Sequence, residues 1–229
     1  MKLVIGNKNY SSWSLRPWLL LRQAGIAFEE IPVRLGTPGF AAQIAQYSPA
    51  GKVPTLVDGD ITVWDSLSIS EYLAERFPEK ALWPADPAAR ALARSVCAEM
   101  HSGFANVRNQ LPMNVTAVLP GCGWNVAVQR EVERIAAIWT DLRTRFGAEG
   151  PFLFGTFTVA DAFYAPVVSR FATYGIHLPD AAKQYADFIL ALPAMQEWIA
   201  AAREERDFLA DDEPYRTVPD HPDAIIIHH

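Results

Sequence analysis

Near residue 87 the chain changes its hydrophobic rhythm, and that change limits the architectures open to it more than any single motif does. Before it, short apolar runs alternate with short amphipathic stretches; after it, alanine-rich segments repeat at spacings of three and four. Lys2–Ile5 reads as a strand. Ser14 or its neighbour can cap a helix with Leu15, Trp18 and Leu19 on one face, which Gly25 ends. Pro17 is expected in the first turn of that helix, where its missing N–H does little harm. Phe28–Val33 reads as a second strand and Phe40–Tyr47 as a short helix. Residues 53–64 read as two strands joined by a tight turn at Asp58-Gly59. A helix from Ser66 carries Ile69, Tyr72, Leu73 and Phe77 on one face until Pro78 stops it. The order β-α-β-α-β-β-α thus fills residues 1–78, the size of one compact α/β domain.

Residues 79–87 hold two prolines and no clear period, and are expected to be a linker. Residues 88–229 read as an all-helical domain with an acidic C-terminal tail. Leu92, Val96, Met100, Gly103, Val107 and Leu111 mark one long helix stopped or kinked at Pro112. Val128, Val132, Ile135, Trp139, Leu142 and Phe146 form a strong amphipathic stripe. Thr158-Val159-Ala160-Asp161 is a capping-box pattern opening another helix. Further helices are expected near 181–192 and 194–203.

Charge narrows the function classes. Residues 1–78 carry seven Lys/Arg against seven Asp/Glu, so the net −6 belongs to the remainder, with thirteen against nineteen. Residues 203–229 alone hold eight acids and three bases, which reads as a solvated face and a loose tail. Such a balance argues against nucleic-acid binding, which needs clustered bases. No run approaches the ~18 apolar residues of a membrane span, and Met1–Gly6 is too short for a signal peptide. No membrane association is expected, and the location expected is the cytoplasm. Cys97 and Cys122 lie far apart and outside any C-x-x-C pair, so neither a disulfide nor a thiol redox site is expected. His101 and His177 are isolated, and His221, His228 and His229 sit in the tail, so no metal site is expected either.

Three local features carry chemistry. In Tyr10-Ser11-Ser12-Trp13-Ser14, hydroxyls meet a helix N-terminus, where free N–H groups and the dipole favour an anion such as a thiolate. Plain N-capping is the competing explanation. In Gly51-Lys52-Val53-Pro54-Thr55, a cis Val-Pro step would free the Val53 N–H and C=O to pair with an extended peptide-like ligand. A plain edge strand opening with proline is the alternative. In Trp64-Asp65-Ser66, a carboxylate and a hydroxyl at a strand-to-helix junction suit the ammonium and carboxylate of an amino acid, or simply cap the helix.

Together, the serine turn near residue 11, Val53-Pro54 and Asp65-Ser66 resemble the N-terminal domain of the cytosolic glutathione transferases, a resemblance that extends to the Thr158–Asp161 box. It implies a thioredoxin-like α/β domain followed by an all-helical one, glutathione as co-substrate with no metal, a small electrophilic and largely apolar second substrate, and a homodimer. The Ser-Ser-x-Ser spacing looks most like the zeta and related serine-type classes, except that Trp13 stands where cysteine or proline is usual. Carried across, the catalytic hydroxyl falls on Ser11, with Ser12 and Ser14 as rivals for the thiolate and Tyr10 the nearest tyrosine. Val53 matches the backbone clamp on the cysteinyl unit, Lys52 is assigned to the glycyl carboxylate, and Asp65 and Ser66 to the γ-glutamyl end. Thr158 and Asp161 are structural. Phe104 and Arg108 are expected to face the second substrate. Glutathione conjugation is the activity implied, with maleylacetoacetate-type isomerisation or a non-catalytic scaffold role as alternatives. Arg170 lies out of register with the basic residue that isomerisation calls for.

Overall fold

A computed structural model describes residues 1–228; His229 lies outside the described residues. Strand β1 (Lys2–Ile5) runs parallel to β2 (Glu29–Pro32) and antiparallel to β3 (Thr55–Asp58), which pairs antiparallel with β4 (Ile61–Val63). The sheet order is β2-β1-β3-β4. Helices α1 (Ser12–Gln23), α2 (Phe40–Ile44) and α3 (Ser66–Arg76) complete the thioredoxin-like half. Gly59 closes the β3–β4 turn at φ 60, a backbone region that glycine enters at little cost.

The helical half begins at α4 (Pro87–Ser102), whose first turn is capped by the Asp86 carboxylate. It continues through α5 (Ala105–Gln110), α6 (Val126–Phe146), α7 (Val159–Thr173), α8 (Asp180–Ala191) and α9 (Pro193–Glu204). One hydrophobic cluster runs from Leu3 in β1 to Trp198 in α9. The two halves therefore share a core, and α1 is its bridge: nine of its twelve residues are buried, with Trp18 meeting Trp198 edge to face.

Three expectations need correction. The helix after Pro87 does not run to Pro112 but breaks at Gly103–Phe104. A Cβ on Gly103 would stand 2.7 Å from the Glu99 carbonyl oxygen, and Phe104 adopts φ 55, ending α4. The Glu131 carboxylate then accepts the N–H groups of Asn106 and Val107, giving α5 a fresh N-terminal anchor. Pro17 is not in the first turn of its helix; it is the sixth residue of α1, because Ser11 rather than Ser14 is the cap. The acidic tail is not loose. Strands β5 (Asp207–Leu209) and β6 (Ile225–Ile227) pair in parallel, and the segment packs back on the turn after β1.

The Thr158 box forms as expected. Asp161 is fully buried and its carboxylate accepts from the Thr158 N–H at 2.8 Å and the Leu153 N–H at 3.0 Å. Replacing Asp161 with Ala leaves both N–H groups unpaired in the core and should cost about 2–4 kcal/mol. Asp161→Asn, which keeps one acceptor oxygen, should cost less. Urea unfolding midpoints of the two variants against the parent check this order.

Candidate active site

The turn from Gly6 to Ser11 delivers the chain from the middle of the sheet into α1. Ser11 is the helix cap, and its Oγ lies 2.7 Å from the Ser14 Oγ. Ser14 in turn accepts the Gly6 N–H at 3.1 Å. Ser14 is fully buried, whereas Ser11 and Ser12 keep slight exposure. Of the three serines assigned to the ligand, Ser14 has no surface to offer and supports Ser11 from behind. Ser12 receives a hydrogen bond from the Arg170 guanidinium at 3.2 Å. The Tyr10 hydroxyl points away from the serines, to Glu213 at 2.8 Å.

Val53-Pro54 is a cis peptide at the start of β3. Val53 is half-buried, and its backbone forms no hydrogen bond among the described residues. Lys52 is exposed beside it. At the third feature the two assigned residues part company. The Asp65 side chain is half exposed; its Oδ1 caps α3 through the Leu67 N–H, and its Oδ2 lies 2.9 Å from the His101 Nε2. Ser66 is fully buried and accepts from Arg16 at 3.4 Å. Asp65 thus keeps a half-exposed carboxylate, while Ser66 fastens Arg16.

Arg16, His101 and Arg170 were not among the assigned residues, yet they meet Arg108 here. Arg16 is 3% exposed, stacked 4.3 Å over Trp13 and 4.6 Å over Phe163, with its Nε unpaired. Arg108 lies 5.5 Å from the opposite partner of that stack, the Trp13 ring, and donates to the Met100 carbonyl. Arg170, 5% exposed, donates to the Leu111 carbonyl and to Ser12. The hydrogen bonds of all three go to neutral oxygens or an imidazole nitrogen. Burial, then repulsion by Arg170 and Arg108, brings Arg16 down to about 9; burial, then Arg108, brings Arg170 down to about 10. Positive charge buried without a carboxylate in hydrogen-bond contact, as at Arg16 and Arg170, is costly. Its signal in the sequence is an arginine set within an apolar stretch of the helix, as Arg16 is among Leu15, Pro17 and Trp18. Phe104 is a core residue, as are Met100, Leu111 and Met113 nearby. Among the described residues there is no cluster of metal-ligating side chains, and no helix is long and apolar enough to cross a membrane.

Comparison with known proteins fits this geometry. A family model for the glutathione S-transferase N-terminal domain matches residues 10–76, and one for the C-terminal domain matches residues 125–201. The chain belongs to the glutathione transferase family. Among its relatives, a probable maleylacetoacetate isomerase from Caenorhabditis elegans is 32% identical over 163 residues, covering 69% of this chain and 72% of the relative. A stringent starvation protein A homolog from Coxiella burnetii is 27% identical over 164 residues, covering 72% and 73% respectively. A glutathione transferase homolog from Burkholderia, solved with bound glutathione, superposes with a TM-score of 0.65 at 25% identity, covering 88% of this chain and 97% of that one.

His101 joins the two polar clusters. Arg16 Nη1 lies 3.5 Å from its Nδ1, and its Nε2 reaches Asp65, the pattern of a neutral imidazole accepting from one side and donating to the other. Its pKa is lowered, by burial first and by Arg16 and Arg108, against the raising effect of Asp65. A base whose pKa falls on folding takes up protons more readily when unfolded. Stability should therefore decline as pH drops from about 6.5 through the lowered value. Urea unfolding from pH 8 to 5 should show His101→Gln flattening that part of the parent's profile.

Proposed function

We propose that this chain binds glutathione along Lys52, Val53 and Asp65, activates its thiol at Ser11, and transfers the sulfur to an electrophilic substrate. The observation that carries this is the relay behind Ser11. The Gly6 N–H donates to Ser14 Oγ. When the Ser14 hydroxyl donates to Ser11 Oγ, that oxygen also accepts the Ser14 N–H and has its lone pairs filled. The Ser11 proton is then free to point outward, at the N-terminus of a buried helix. A thiol of reference pKa about 8.5 held there would ionise more readily, stabilised by the hydroxyl and the helix dipole. The thiolate attacks an electrophilic carbon, a C–S bond forms, and the leaving group departs with its electron pair.

The ligand's ends find suitable chemistry. Asp65 offers a half-exposed carboxylate to the γ-glutamyl ammonium, exchanging its His101 contact for a cation. The unpaired Val53 backbone can take the cysteinyl unit, and Lys52 the glycyl carboxylate. We infer a cytoplasmic homodimer, for which light scattering at micromolar concentration should give twice the 25.4 kDa chain mass.

A second reading has its own observation. Three guanidiniums around Trp13 and Ser12 favour a substrate that carries a carboxylate. Glutathione-dependent isomerisation of such a substrate, as in relatives named maleylacetoacetate isomerase, needs only addition of the thiolate to the double bond, rotation about the resulting single bond, and expulsion of the same thiolate. Arg108 is the cation least buried of the three, so it is assigned to that carboxylate.

Ser11→Ala should raise the pKa of the bound thiol and slow turnover of an activated aryl halide by roughly 10²-fold, followed by thiolate absorbance against pH. An unchanged titration in Ser11→Ala, with Ser12→Ala shifted instead, would transfer the role to Ser12. Arg108→Met should raise KM for a carboxylated electrophile by ~10-fold or more and leave a neutral one nearly unaffected; equal loss on both would remove the case for a carboxylate substrate.

A further inference from the structure

The turn that presents Ser11 is held from outside by the far end of the chain. The Glu205 carboxylate accepts the backbone N–H of Lys8 at 2.6 Å and that of Asn9 at 3.0 Å. Asp207 accepts from the Asn7 side chain at 2.9 Å. Three residues farther along the turn, the Tyr10 hydroxyl donates to Glu213 at 2.8 Å. Consecutive residues 7 to 10 are thus each engaged by a carboxylate that lies about two hundred positions away in sequence. The turn closes on itself just beyond, where the Ser11 N–H donates to the Asn7 carbonyl at 2.8 Å.

Glu213 is the knot of this strap. It is 3% exposed, and besides Tyr10 it accepts from Asn114 at 2.7 Å and from Arg216 at 2.7 Å and 2.9 Å. One buried carboxylate therefore ties the serine turn to the loop after α5 and to the tail's own arginine. Both of its oxygens accept hydrogen bonds, as a buried charge requires. The bidentate fork from Arg216 fixes its plane, so its remaining lone pairs have defined directions. Tyr10 is covalently adjacent to Ser11, and rotation of the Tyr10 backbone would carry the Ser11 oxygen off the helix axis.

We propose that the C-terminal segment is a positioning strap for thiol activation, in which Glu213 acting through Tyr10 sets the place of the Ser11 hydroxyl. Neither residue touches the sulfur; both act by fixing the turn. Errors of even one ångström at an anion-stabilising donor reduce catalysis out of proportion to their effect on binding. The inference rests on the assignment of Ser11 to the glutathione thiol, and the test separates the two.

The decisive variants are Tyr10→Phe, which removes a single hydroxyl, and Glu213→Gln, which keeps shape and loses charge. Each is measured in the full-length protein with glutathione and an activated aryl halide. The expected result is a bound-thiol pKa raised by ~0.5 unit or more, a roughly threefold change in thiolate, with kcat lowered and KM for glutathione nearly unchanged. Ser11→Ala is run beside them. If Tyr10→Phe lowers only the unfolding midpoint, with thiol pKa and kcat intact, the strap is merely structural and the proposal is overturned, whatever Glu213→Gln does. If Tyr10→Phe shifts the thiol while Ser11→Ala does not, the strap positions a different donor, and the assignment of Ser11 is what fails. A double variant of Ser11→Ala with Tyr10→Phe should be no worse in thiol pKa than Ser11→Ala alone; additive losses would show that Tyr10 acts by another route and would also overturn the proposal.

Discussion

Everything in this molecule is arranged around a helix with almost no outside. Helix α1 lies between the sheet and α7, and even its polar residues Ser12, Ser14 and Arg16 are buried. A helix enclosed in this way cannot be held by an amphipathic stripe alone, because no face is left for water. Its position is set by large side chains on opposite sides, Leu15, Trp18, Leu19 and Leu20 among them, in a core too dense to accommodate a shift. The N-terminus of that helix is consequently a fixed point, and Ser11 inherits its rigidity. The anion-stabilising role proposed for Ser11 needs that preorganisation, since donors that must move at the moment of reaction contribute less.

The same enclosure makes the neighbourhood expensive. Arg16 and Arg170 are charged, nearly inaccessible and close enough to repel each other, and the Arg16 Nε has no partner. Stacking on Trp13 and Phe163 offsets part of this cost. Packing for stability alone would favour apolar groups at these positions. Their presence beside the Ser11 turn is better explained by an anion they serve. Trp13, the residue that departs from the usual pattern of serine-type relatives, is the platform on which the Arg16 guanidinium rests and toward which Arg108 leans.

Much of this was legible before any coordinates. The strand and helix order of the first half follows from local periodicity and turn chemistry. The Thr158–Asp161 box is likewise a local signature that the fold respects. What could not be read is non-local. Pro112 reads as the stop or kink of the long helix, but the break falls at Gly103–Phe104, where close backbone approach and the distant Glu131 decide it. Ser66 accepts from Arg16, fifty residues earlier, a contact that no local pattern announces. The acids of the tail read as solvated because charge composition alone does not say which carboxylates will find N–H groups. Glu205, Asp207 and Glu213 find theirs on the far side of the chain.

That arrangement has a consequence for the life of the protein as it is made. The serine turn leaves the ribosome well before the carboxylates that brace it, which come from beyond residue 204. The α/β half can assemble its strands from neighbours close in sequence, but the brace requires closure over nearly the whole chain. A chain interrupted before residue 205 would retain a hydrophobic core with its serine turn unbraced. The geometry of the serine turn therefore depends on a segment translated about two hundred residues after it.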